Sequence, residues 1–124
     1  MRNNLLSWQW QAYGDNHADR ANLLLHLATV PVFIAGLAVA VAGPLLGPWW
    51  LALVGLGGMV LALAAQGRGH RGEATAPVPF AGPDDFATRF LAEQLVSFPR
   101  FVLSGGWLRA WRAARGPHAR RASP

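Results

Sequence analysis

From Ala21 to Gly43 the chain carries no charged side chain, and the polar groups in its first turns are Asn22 and His26. No other feature restricts the fold as much. About 20 apolar residues in a helix cross the ~30 Å hydrocarbon core of a bilayer, and residues 22–43 reach that length with His26 near one end. A second uncharged run, Trp49 to Ala65, stands at the short edge of spanning length. Between them Gly43-Pro-Leu-Leu-Gly-Pro48 sets helix-breaking residues at both ends of a compact, uncharged turn. The two runs are therefore expected to fold back as a hairpin over 22–65. Pro31 should kink its first helix, a fault that membrane helices accept. Gly36 and Ala40, facing Gly55, Gly58 and Ala62, offer small surfaces for close packing.

Composition agrees with this reading. The 124 residues are 52% hydrophobic and 14% charged, against about 25% charged in ordinary soluble domains. That length allows one domain with tails. The absence of cysteine excludes a disulfide framework and thiolate metal sites, leaving His, Asp and Glu as metal ligands. All the basic residues are arginines and none lies within the hairpin or its tip, so both termini are expected on the cytoplasmic face. The polar-interrupted start, Met1 to Gln11, does not read as a cleaved signal peptide.

Residues 3–14, with Leu5, Leu6, Trp8, Trp10 and Tyr13, read as a short amphipathic helix at the membrane interface. Arg68 to Pro83 is Gly- and Pro-rich and reads as irregular. A helix is expected over 84–97, with Phe86, Phe90, Leu91 and Leu95 on its apolar side and Arg89 and Glu93 on its polar side. Phe98 to Leu108, broken by Pro99 and Gly105-Gly106, reads as re-entrant or interfacial. Residues 109–124 form a basic, flexible tail suited to anionic lipid headgroups rather than to nucleic acid. The expected fold is thus all-α, one membrane-embedded helical domain over 1–108 with a two-helix transmembrane hairpin and interfacial or re-entrant helices. Nothing in the residues decides between a monomer and a homo-oligomer.

The hairpin has a chemical consequence. Antiparallel helices carry the start of the first to the end of the second, so His17, Asn22 and His26 come to the membrane face that holds Gln66, His70 and Glu73. An ionisable group at the mouth of an apolar segment is costly unless partnered. His17, His26 and His70 with Glu73 make a candidate N/O metal site, suited to iron(II) with open positions or to zinc. Iron(II) would activate dioxygen, whereas zinc would activate water. Gln66 and Asn22 are natural hydrogen-bond partners for the ring N–H groups or a bound substrate. His118, in the tail, reads as solvated surface.

The pattern Tyr13-x3-His17-x4-Asn22-x3-His26-x4-Pro31, two apolar helices, then Gln66-x2-Gly69-His70-x2-Glu73-x3-Pro77, resembles the fungal endoplasmic-reticulum 2-hydroxy-fatty-acid dioxygenase family and its bacterial relatives. The likeness covers about residues 13–77, and Asn22-x3-His26 and Gln66-x2-Gly69-His70 are its most specific pieces. In that family the glutamate usually follows the Gly-His histidine by four residues, and here Glu73 follows by three. The resemblance implies an iron(II)-dependent α-oxidation that shortens a 2-hydroxy fatty acid by one carbon, in the bacterial inner membrane. It implies His17, His26, His70 and Glu73 as metal ligands, with no further catalytic group, and Tyr13 beside them. Arg20, Arg68 or Arg71 would pair with the substrate carboxylate. The partners are then membrane lipid, a fatty acyl substrate and O2. The same residues also fit a zinc-dependent membrane hydrolase, and the apolar runs and arginines alone fit a non-enzymatic anchor that binds lipid.

Overall fold

The structure, a computed structural model, describes residues 3–114, and over these the chain is helical without a strand. In chain order the elements are α1 (Leu5–Gln11), α2 (Arg20–Leu46), α3 (Leu51–His70), α4 (Pro83–Ala92), a π-turn (Glu93–Ser97), α5 (Phe98–Leu103) and α6 (Gly106–Ala113).

Helix α2 starts where Asp19 caps it, its carboxylate accepting the Asn22 backbone N–H at 3.1 Å. It continues through Pro31 and Pro44 to Leu46, where Gly47 N–H closes on the Gly43 carbonyl at 2.7 Å. The turn is therefore shorter than the expected Gly43–Pro48, and both hairpin helices are longer. On α3 the helix persists to His70 rather than ending at Ala65. His70 thus sits in a rigid last turn, not in an irregular segment. Neither Gly67 nor Gly69 breaks the helix, since an isolated glycine costs only about 1 kcal/mol there.

The hairpin closes over glycine. A Cβ on Gly36 would lie 2.7 Å from the Gly55 carbonyl oxygen, and a Cβ on Gly55 would run into the Ala40 amide and the Gly36 carbonyl. The two backbones touch, as small facing residues permit between helices.

Both hairpin helices are long and apolar enough to cross a membrane, and only 22% and 17% of their most apolar windows are buried, unlike the core helices of a soluble protein. Leu45, Leu46, Leu53, Val60 and Leu61 all point outward. At the turn end Trp49 and Trp50 are exposed. At the other end, about 30 Å away along the 20 residues of α3, lie Trp8, Trp10, Trp107 and Trp111.

The remaining helices gather at that second end. Tyr13, Leu23, Val30, Phe98 and Phe101 form the buried core. Pro99 lies in the first turn of α5, which follows the π-turn without a break in the helical backbone. Gly105 takes a left-handed φ of 81°, joining α5 to α6. Segment 98–108 is thus a pair of short helices, with Phe98, Phe101 and Gly106 buried. Trp107 donates its ring N–H to the Leu23 carbonyl at 3.0 Å, fastening α6 to the first turn of α2. Residues 109–113, expected in the tail, are helical; the rest of that tail from residue 115, with His118, lies outside the described residues.

Candidate metal centre

Three imidazoles and one carboxylate meet where the start of α2, the end of α3 and the π-turn converge. His17 comes from the loop before α2, His26 from its second turn, and His70 from the last turn of α3. Their ring centroids stand 4.7–4.8 Å from one another. The carboxylate is Glu93, whose Oε1 lies 3.2 Å from His17 Nε2, 3.5 Å from His26 Nε2 and 3.9 Å from His70 Nε2. One ligand atom from each of the four lies within 4.8 Å of the others, so the group could hold a metal ion. Four ligands about 2.1 Å from a tetrahedral ion stand about 3.4 Å apart, a spacing close to these.

The hydrogen bonds say what the centre lacks. His17 Nδ1 faces the Tyr13 carbonyl at 2.8 Å and His26 Nδ1 faces the Asn22 carbonyl at 3.0 Å. A carbonyl only accepts, so both Nδ1 atoms carry the proton, and in the neutral ring Nε2 is left as a lone pair. Those lone pairs point at a carboxylate oxygen, acceptor against acceptor. Positive charge must stand between them, either as protons on the rings or as a cation. His26 Nε2 is buried without a hydrogen-bond partner, as is expected of a ligand atom. The residues fit a bound metal, and its binding would displace protons.

Glu93 is ready for this role. Burial pushes its carboxyl up, but when the rings of His17, His26 and His70 carry protons on Nε2 their hydrogen bonds, with the His17 charge, outweigh burial and hold it well below the usual carboxylate range. It enters the centre because the helix widens there. Phe98 N–H bonds back to the Glu93 carbonyl, a five-residue turn of the kind often found at functional sites. Gln94 is fully buried and pairs reciprocally with Gln66, Nε2 to Oε1 at 3.0 and 2.6 Å, while Gln66 also donates to Thr29 at 3.0 Å. This closed amide pair ties the π-turn to both hairpin helices and sets the height of Glu93.

Glu73, expected as the fourth ligand, does other work. The chain turns at Arg71–Gly72, and its carboxylate accepts the backbone N–H groups of Ala18 and Asp19 at 3.0 and 2.8 Å and Nδ2 of Asn22 at 3.1 Å. A carboxylate at the positive end of α2 is electrostatically at home. Glu73 therefore fixes the loop that carries His17, and Glu93, not Glu73, stands in the group that could hold a metal ion. Asn22 lies, as expected, beside the centre, holding Glu73 with its side chain and His26 with its carbonyl. Its Oδ1 packs against Gly69, where any Cβ would collide with it. Gln66, expected to partner a ring N–H or a substrate, instead bonds Gln94 and Thr29 and reaches Glu93 only through Gln94.

Tyr13 is 3% exposed, stacks on His17 at 4.1 Å and donates to Glu93 Oε1 at 3.1 Å. Burial and the neighbouring Glu93 charge push its phenol well above the ordinary value of 10. A raised acid keeps its proton in the fold, so the stability it contributes is present below pH 10 and lost as pH rises beyond that. Tyr13 is the only tyrosine. At pH 10 the folded chain is expected to show almost no phenolate absorbance, and denaturant should bring it up to that of a half-ionised tyrosine. Half-ionisation in the folded chain would place the phenol in water.

None of the three arginines expected to pair with a carboxylate lines the cavity beside the centre. Arg20 donates to the Trp111 carbonyl and stacks on its ring, and Arg68 and Arg71 are exposed. A sequence signal for Glu93 existed in the polar triplet Glu93, Gln94 and Ser97 within an otherwise apolar segment. Comparison with protein-family models, with curated proteins and with solved structures finds no match for this chain.

Proposed function

We propose that this chain is a membrane-embedded iron(II)-dependent dioxygenase that shortens 2-hydroxy fatty acids by one carbon. The observation that carries the reading is the convergence of His17, His26, His70 and Glu93, with His26 Nε2 and His70 Nδ1 buried and unpartnered, at one end of an apolar hairpin. The resemblance of the Tyr13–Pro77 pattern to the 2-hydroxy-fatty-acid dioxygenases supports the substrate class. In this reading α2 and α3 cross the bacterial inner membrane, both ends of the chain face the cytoplasm, and α1 and α4–α6 lie in the headgroup layer.

The reaction balances without an outside reductant. Breaking the C1–C2 bond of a 2-hydroxy acid to give the acid one carbon shorter, carbon dioxide and water releases four electrons, which one O2 takes up. Iron(II), when bound, supplies the activation of dioxygen. The chain's own part is to prepare the place. The Tyr13 and Asn22 carbonyls hold the rings of His17 and His26 with Nε2 inward, and Glu93 contributes a full negative charge. Tyr13 keeps its proton and directs it at Glu93 Oε1, and the near-complete burial of His17 and His26 keeps bulk water out.

The test is made on the detergent-purified full chain, loaded anaerobically with iron(II) and given a 2-hydroxy fatty acid and oxygen. The expected result is about one iron per chain, one O2 consumed per acid, and the one-carbon-shorter acid as product. Tightly held zinc with no oxygen uptake would overturn it in favour of a hydrolase. Failure to retain any metal would leave the lipid-binding anchor.

A further inference from the structure

Beside the centre lies a cavity of about 390 Å³, in the size range of small-molecule sites. Its near wall is His17, His70 and Glu93, and its far wall includes Leu63, Phe86 and Phe90. Phe86 stacks on Phe90 at 5.6 Å, and Phe90 meets Phe33 edge-on at 5.0 Å, so the far wall is an aromatic ladder running into the hairpin. Leu63 precedes His70 by two turns of α3, about 10 Å. That is the reach of about eight extended methylenes at a C–C bond length of about 1.5 Å.

Among the described residues one arginine lines the cavity, Arg89, and it is engaged elsewhere. It donates to Asp85 at 3.1 Å and to the Pro79 and Val78 carbonyls at 3.2 and 2.6 Å, and its guanidinium lies between the rings of Trp8 and Phe80. Its work is to hold segment 78–80 as a wall. No free cation of the described residues lines the cavity to receive an acid. The rim at Val78 and Phe80 is apolar and half exposed, which suits entry from lipid rather than from water.

Building on the function proposed above, the geometry points to this cavity as the slot for a single acyl chain. Its carboxylate end is received at the His–Glu centre rather than by an arginine, and Leu63 with Phe86 and Phe90 limits how much chain fits. Each methylene excluded from an apolar slot costs about fourfold in affinity. Leu63→Trp fills the far end and Phe86→Ala extends it.

The experiment is native mass spectrometry of the full chain in detergent, with and without iron(II), against an equimolar mixture of saturated fatty acids from six to eighteen carbons. These acids lack the 2-hydroxyl and are not turned over, so the measurement stands apart from the reaction. Relative to the unaltered chain, Leu63→Trp is expected to deplete the longest acids at least about tenfold against the shortest, and Phe86→Ala to enrich them. Comparing proteins in one mixture cancels partition into detergent. Identical length profiles in all three chains, or a phospholipid that no acid displaces, would overturn the slot. A shifted profile in a chain that consumes no oxygen would uphold the slot and sink the oxygenase. Product formation with an unshifted profile would do the reverse.

Discussion

Glu93→Gln is expected to lower the affinity for iron(II) or zinc at least about a hundredfold, while Glu73→Gln leaves about one metal per chain. Partners that merely orient a ligand are worth about 10- to 100-fold in metal affinity, and removing the only carboxylate of the cluster should exceed that. Glutamine keeps the volume of Glu93 but presents a neutral amide to three imidazoles. The Glu73 carboxylate touches no histidine; its bonds go to the amides of Ala18 and Asp19 and to Asn22. Its loss should appear as a thermal destabilisation of about 1 kcal/mol, discounted for partial exposure. Competition against a chromophoric chelator, read beside a melting curve, separates the two. Equal loss of metal in both variants would remove Glu93 from its place.

Gly55→Leu should abolish the centre altogether, although Gly55 lies far from it along α3. Any side chain there is driven into the backbone of α2 at Gly36 and Ala40, and backbone cannot yield as a flexible side chain does. Moderate overpacking costs about 1–3 kcal/mol; here the helices must separate, taking His26 and Thr29 away from His70 and Gln66. Metal content is expected to fall below about a tenth per chain, a loss of more than 1.4 kcal/mol in binding. Gly57, two positions on, has nothing within 4 Å of its would-be Cβ. Gly57→Leu should therefore keep its metal. Elemental analysis of the two purified variants decides, and parity between them would mean the hairpin is not what holds the histidines together.

The hairpin and its three histidines were legible because they rest on strong, local signals: two uncharged runs, a Gly/Pro turn, and the geometry of antiparallel helices. The carboxylate was not. Glu73 stands three residues from His70, and sequence proximity favoured it, but the turn at Arg71–Gly72 sends its side chain towards the α2 amides. Glu93 belongs to a helix whose regular 3.6-residue spacing puts it with Arg89 on a polar side. Only the widened turn at Glu93–Ser97 brings Glu93 and Gln94 inward together, and hydrophobic periodicity carries no mark of such a turn. The proline positions misled in the other direction. Pro44 ended a helix on paper, but α2 runs on to Leu46, where the Gly47 N–H closes on the Gly43 carbonyl.

Donors 76 positions apart have a bearing on biogenesis. During synthesis His17 and His26 emerge first, His70 only after the rest of the hairpin, and Glu93 last of all. A nascent chain interrupted before Gln94 has no amide to lock the returning segment, and so no finished cage. In the function proposed above, loading with metal would then be a late event in the life of each molecule, and retained metal would report that the returning segment had closed on the hairpin.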